Sequence, residues 1–110
     1  MNQLRKTTVK KEFEELLYER YPALFVERTL SPQETGMCWG IACGDGWFDL
    51  IDTLCKTIQF GIEQGYTPPV SIRQVKEKFG TLRFHTRGGN EWVRGAVEMA
   101  RTFSALIPDE

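Results

Sequence analysis

A chain of 110 residues that is 41% apolar and 26% charged is long enough to bury one core and too apolar to stay disordered. Fourteen Lys and Arg stand against fifteen Asp and Glu, which excludes a global basic field of the kind that draws a protein onto nucleic acid or an acidic membrane; any such binding must come from a local patch. No stretch approaches the roughly eighteen apolar residues of a membrane span, and Met1–Lys11 is polar, so the expectation is one domain over residues 1–110 in the cytoplasm.

From Thr8, the residues Val9, Phe13, Leu16, Leu17 and Tyr21 recur at helical spacing, with Lys10, Lys11, Glu12, Glu14, Glu15 and Glu19 on the other face. This pattern predicts a helix over 8–21, capped by Thr7 or Thr8 and stopped near Arg20 by Pro22. Residues 23–35 mix apolar and turn-forming types and read as an ordered loop or a short extended piece. Over 36–43, alternation of Met37, Trp39 and Ile41 with the small Cys38, Gly40 and Ala42 predicts a strand.

Gly44-Asp45-Gly46 breaks that strand, and Asp45 is placed to cap a helix over 45–64. Phe48, Ile51, Cys55, Ile58 and Ile62, flanked by Trp47, Leu50 and Leu54, form a wide stripe, which marks this helix as the central one. Gly65 and Pro68-Pro69 end it. Residues 70–87 predict a hairpin turning through Glu77-Lys78-Phe79-Gly80, with Leu82 and Phe84 facing the core and Arg83, His85 and Arg87 facing away. Asn90 then caps a last helix over 90–107, with Val93, Ala96, Val97, Ala100, Phe103, Ser104 and Ile107 on its inner face. The fold class is therefore α+β, a small and mainly antiparallel sheet packed against three helices.

Two strings carry a resemblance: Cys43-Gly44-Asp45-Gly46-Trp47 opening a Leu- and Ile-rich helix, and Gln74-Val75-Lys76-Glu77-Lys78-Phe79-Gly80-Thr81-Leu82-Arg83-Phe84. Over residues 9–106 the chain resembles a family of small uncharacterised proteins encoded by bacteriophages and prophages. Members often carry a Cys-Gly tail that looks metal-binding, whereas here the last helix is followed by Ile107-Pro108-Asp109-Glu110. The resemblance implies a phage setting, no assigned activity, and a bias toward proteins that act on host or defence proteins.

Several residues are candidates for chemistry. Cys38, Cys43 and Cys55 are odd in number and read as thiols, too few with His85 for the paired spacings of a zinc site. Cys43, just before a helix N-terminus, is the sharpest nucleophile, with His85 as its base, although a small apolar filler is the commoner role there. Asp45, Asp49 and Asp52 share one helix face, as a magnesium-assisted phosphoryl-transfer site would need, but cap, first-turn acid and solvated surface explain them as well. Arg73, Lys76, Lys78, Arg83, His85 and Arg87 crowd the hairpin, while residues 27–63 hold six acids against Arg28 and Lys56. Such a face can sit on phosphates, with Phe79 or Trp92 free to stack on bases, or can simply guard an edge.

Two of Trp39, Trp47 and Trp92 are expected in the core, and Phe60 and Met99 are expected to be exposed contact residues. The leading reading is a non-catalytic interaction protein, monomeric or a small homo-oligomer, with no cofactor and a host or defence protein as partner. A binding module for nucleic acid or a nucleotide messenger comes second, and a metal-assisted enzyme third.

Overall fold

The computed structural model describes residues 11–110. Helix α1 spans Lys11–Arg20 and buries Leu17; the predicted start at Thr8 and its cap at Thr7 or Thr8 lie outside the described residues. Pro22 ends it as expected, and the chain then turns so that Leu24 and Phe25 are wholly buried. The Leu24 carbonyl accepts a hydrogen bond from Ile72 N at 2.8 Å, so the undecided segment 23–35 is ordered loop, with a single 3-10 turn at Val26–Thr29, laid along the sheet.

The strand expected over 36–43 is a correction. Met37–Trp39 forms a 3-10 turn, Gly40 takes φ 76°, and only β1, Ile41–Ala42, joins the sheet. The physical reason is Glu14 of α1, whose carboxylate accepts from Ile41 N at 2.8 Å and occupies the space where a Gly40 Cβ would sit. With the pleat broken there, Met37 and Ile41 are buried while Trp39 is 68% exposed.

Gly44-Asp45-Gly46-Trp47 also departs from expectation. Asp45–Trp47 is a 3-10 turn leading into helix α2, Phe48–Glu63, so Asp45 opens that turn and is not the N-cap residue of α2, a position that falls to Trp47. The C-terminal segment closes on this turn. Gly44 N donates to Asp109 Oδ2 at 2.9 Å, Gly46 N to the Asp109 carbonyl at 2.7 Å, and Trp47 Nε1 to the Ile107 carbonyl at 2.6 Å. A Cβ on Gly44 would lie 2.0 Å from the Asp109 carbonyl oxygen and one on Gly46 2.3 Å from that of Pro108, so both glycines are demanded by close approach of backbone to backbone. Along α2, Ile51, Leu54, Cys55 and Ile58 are buried, as the wide stripe predicts.

Strand β2, Val70–Lys78, and strand β3, Thr81–Gly88, form the expected hairpin, with a turn tighter than predicted: Lys78 pairs with Thr81, leaving a two-residue connection. Phe79 and Gly80 take φ 56° and 79°, the double positive geometry of a type I′ turn. β1 runs parallel to β2 through Ile41 opposite Val75, so the three-stranded sheet is mixed and in the order β1-β2-β3. Helix α3, Glu91–Ser104, is capped as expected by Asn90, whose side chain accepts from Trp92 N at 3.1 Å. Ser104 ties α3 to the sheet by accepting from Leu82 N at 2.8 Å. The α+β class holds, with the core between the inner sheet face, α2 and α3. Among the described residues, no helix is long and apolar enough to cross a membrane.

Candidate functional site

Two surfaces are left when the core has taken its share. The first is a groove between α2 and α3. Gly61 lets the helices close up, because a Cβ there would lie 2.3 Å from the Trp92 ring. Trp92 is laid across α2 in consequence, with Tyr66 against it at 5.7 Å between ring centres and Phe60 against Tyr66 at 6.0 Å. Beyond Trp92 the helices enclose a recess of about 400 Å³ lined by Leu50, Thr53, Leu54, Thr57, Trp92, Gly95, Ala96, Met99, Ala100 and Phe103. No atom stands within 4 Å of where a Gly95 Cβ would be, so the recess is open to a partner at that point.

Its rim is charged. By helical spacing Asp49 and Glu63 flank Thr53 and Phe60 on the outer side of α2, and Glu91 and Glu98 flank Gly95 on the outer side of α3. Lys56 interrupts the acids on α2, while Arg94 and Arg101 reach Glu91 and Glu98 from further round α3 at 3.9 and 3.7 Å. Exposed pairs of this kind contribute about 0–1 kcal/mol and are readily exchanged for others.

The second surface is the outward face of the hairpin. Strand alternation sets Gln74, Lys76 and Lys78 of β2 beside Thr81, Arg83 and His85 of β3, with Lys76 directly opposite Arg83 and Gln74 opposite His85. Arg73 is the extra residue of a bulge, and its carbonyl is satisfied by Gly36 N and the Thr35 hydroxyl. Burial and then the charges of Lys76, Arg73 and Arg83 push the His85 pKa down, which keeps its ring neutral at pH 7.

Arg87 does not belong with these cations. Its guanidinium is held by Glu27, Nε to Oε2 at 2.7 Å and Nη2 to Oε1 at 3.3 Å, and also donates to the Glu34 carbonyl. Glu27 is buried, takes a third hydrogen bond from the Ser71 hydroxyl at 2.6 Å, and is held at a pKa of about 2, chiefly by Arg87. Arg87 is therefore a structural partner that fastens the 26–29 turn to the sheet.

The two chemical candidates are not assembled. Cys43 lies wholly inside the core, where burial and then the charges of Asp109, Asp45 and Glu77 raise its pKa to about 12, the reverse of an activated thiol. His85 is on the outward face of the hairpin, beside Gly36, Arg73, Gln74 and Thr86. Asp45, Asp49 and Asp52 do not converge: Asp52 pairs with Arg20 at 2.9 Å and accepts from the Tyr21 hydroxyl at 2.7 Å, and no group of three His, Cys, Asp or Glu able to share an ion occurs among the described residues. All three cysteines are free thiols.

Phe60 and Met99 are exposed as expected, at 51% and 66%, and both border the groove. Trp47 and Trp92 pack on the core and Trp39 does not. Phe103, expected inside, is half exposed at the groove because α3 buries Ala100 and Ser104 instead. The groove's other members were hidden from sequence reasoning, and the available signal was glycine: Gly61 in the last turn of α2 marks a close approach, and Gly95, inside α3 where glycine costs about 1 kcal/mol, marks a gap. Comparison with protein-family models, with curated proteins and with solved structures found no match.

Proposed function

We propose that this chain is a non-catalytic interaction protein that seats an amphipathic helix of a partner protein in the α2/α3 groove and thereby modulates that partner. The observation that carries the reading is the open apolar recess bordered by Trp92, Met99 and Phe103 and bounded by acids on both outer flanks. A helix laid in a groove of this kind is read through apolar residues at i, i+3, i+4 and i+7. The rim acids can take Lys and Arg flanking that stripe, with Glu91 and Glu98 exchanging Arg94 and Arg101 for the partner's cations. The resemblance to phage and prophage proteins makes a bacterial host or defence protein, met in the host cytoplasm, the partner class.

The test is titration of the isotope-labelled protein with a synthetic helical peptide carrying a Leu stripe and Lys flanks. Amide shifts along Leu50–Thr57 and Trp92–Phe103 are expected, together with at least tenfold weaker binding after Met99→Glu and for a peptide with Glu flanks. Shifts elsewhere, unchanged affinity of the Met99→Glu variant, or self-association through the groove in place of peptide binding contradict the reading.

A further inference from the structure

The outward face of the hairpin carries two costs that a purely structural hairpin would shed. Lys76 stands directly across from Arg83, and like charges directly opposite destabilise an antiparallel pair. Phe79 holds φ 56°, a region unfavourable to a bulky residue, where a two-residue turn ordinarily takes Asn or Asp before the glycine.

Neither cost is offset nearby. Among the described residues, no carboxylate pairs with Arg73, Lys76, Lys78 or Arg83. Arg83 Nε is buried with no hydrogen-bond partner. The Phe79 ring is 85% exposed, with the Lys78 ammonium 5.5 Å from the ring centre. Arg87, further along the same strand, shows that this fold neutralises a hairpin cation where architecture calls for it. Backbone strain and unpaired charge gathered on one exposed element are the marks of a surface kept for binding.

We infer that this face is a site for single-stranded nucleic acid, in which Arg73, Lys76, Arg83 and His85 hold phosphates and Phe79 stacks on a base. Cations without a carboxylate or an apolar pocket among them suit phosphate oxygens, and a bare ring at the tip suits an unpaired base, whose face a duplex would hide. At about 3.3 Å per residue the row from Arg73 to Phe79 is roughly 20 Å long, room for several nucleotides. A recess of about 330 Å³ beside Arg73, Gln74 and His85 closes its far end.

The test is fluorescence anisotropy with labelled oligo-dT and oligo-U of roughly a dozen nucleotides, long enough for one site. ATP and inorganic polyphosphate serve as competitors. Binding is expected to weaken with salt, with a slope of log Kobs against log salt of about −2 for the three cationic contacts of Arg73, Lys76 and Arg83, the neutral His85 ring adding a hydrogen bond without a counterion. Lys76→Gln should reduce the slope by about 0.7, and Phe79→Asn should weaken binding about tenfold at unchanged slope. Both variants should keep or raise Tm, which a merely structural role for either side chain would not allow. The inference is overturned if about 1 mM strand gives no anisotropy change at low salt or if both variants bind as the parent does. A fall in Tm of either variant, or competition by ATP or polyphosphate at strand-like concentrations, overturns it equally.

Discussion

Two tight turns of this molecule pair glycine with a large aromatic ring, and they treat it in opposite ways. At Gly44–Trp47 the donors are turned inward: the glycine amides and the indole N–H close on Ile107–Asp109, and Trp47 is 1% exposed. At Lys78–Thr81 the ring of Phe79 is held out in a strained conformation, above a strand face whose cations have no acidic partner among the described residues. The first turn is construction and the second is presentation. A glycine–aromatic string in a sequence therefore carries no function by itself; what closes over it decides.

Substitution should separate the two turns by sign. The largest effect is expected from Gly46→Ala, whose Cβ must push the C-terminal segment off its seat, with a loss of about 3 kcal/mol and a fall in Tm of more than about 10 °C. Limited proteolysis should then cut near Ile107 in the variant and not in the parent. Loss of Tm without new cleavage would place the strain elsewhere.

Next comes Glu27, the acid that fastens the 26–29 turn to the sheet. Glu27→Ala removes the carboxylate that Ser71 and Arg87 donate to, leaving Arg87 the Glu34 carbonyl, and should cost about 2 kcal/mol, below the figure for a fully buried pair because Arg87 is half exposed. The pair also has a pH signature. The folded pKa of about 2 lies below the ordinary value of 4.5, so its contribution is complete above about pH 4.5 and is lost as pH falls toward 2. Denaturant unfolding followed between those limits should show the parent losing stability more steeply than Glu27→Gln; equal slopes would remove Glu27 from the account of acid sensitivity.

At the hairpin the sign reverses. Phe79→Asn should stabilise by about 1 kcal/mol by relieving the left-handed conformation. The smallest effect is Lys76→Gln, a gain of a few tenths of a kcal/mol at low salt that fades as screening rises. Thermal unfolding of both at two ionic strengths checks them, and destabilisation by either would make the hairpin as structural as the Gly44–Trp47 turn.

The fold was legible where pattern is local. Helical periodicity and Asn90 announced α3, and the wide apolar stripe announced α2. Contacts distant in sequence hid the rest: Glu14 reaches across to break the strand at Gly40, and Asp109 closes on the Gly44–Gly46 turn. The basic hairpin could be read by residue type, but only the register places Lys76 against Arg83, and only three-dimensional contact removes Arg87 from the set. Phe60 and Met99 were visible as apolar residues out of phase with their helices. The groove they border was not, because it depends on how α2 and α3 lie against each other.

The most direct measurement is an amide chemical-shift map of the labelled protein titrated separately with the oligonucleotide and with the Lys-flanked helical peptide. Shifts confined to the outward hairpin face for the first and to the α2/α3 groove for the second, with Gly44, Gly46 and Trp47 unmoved, are the predicted result. Shifts centred on Cys43–Trp47, or on Asp45, Asp49 and Asp52, would contradict the division between a sealed interior turn and two presenting surfaces.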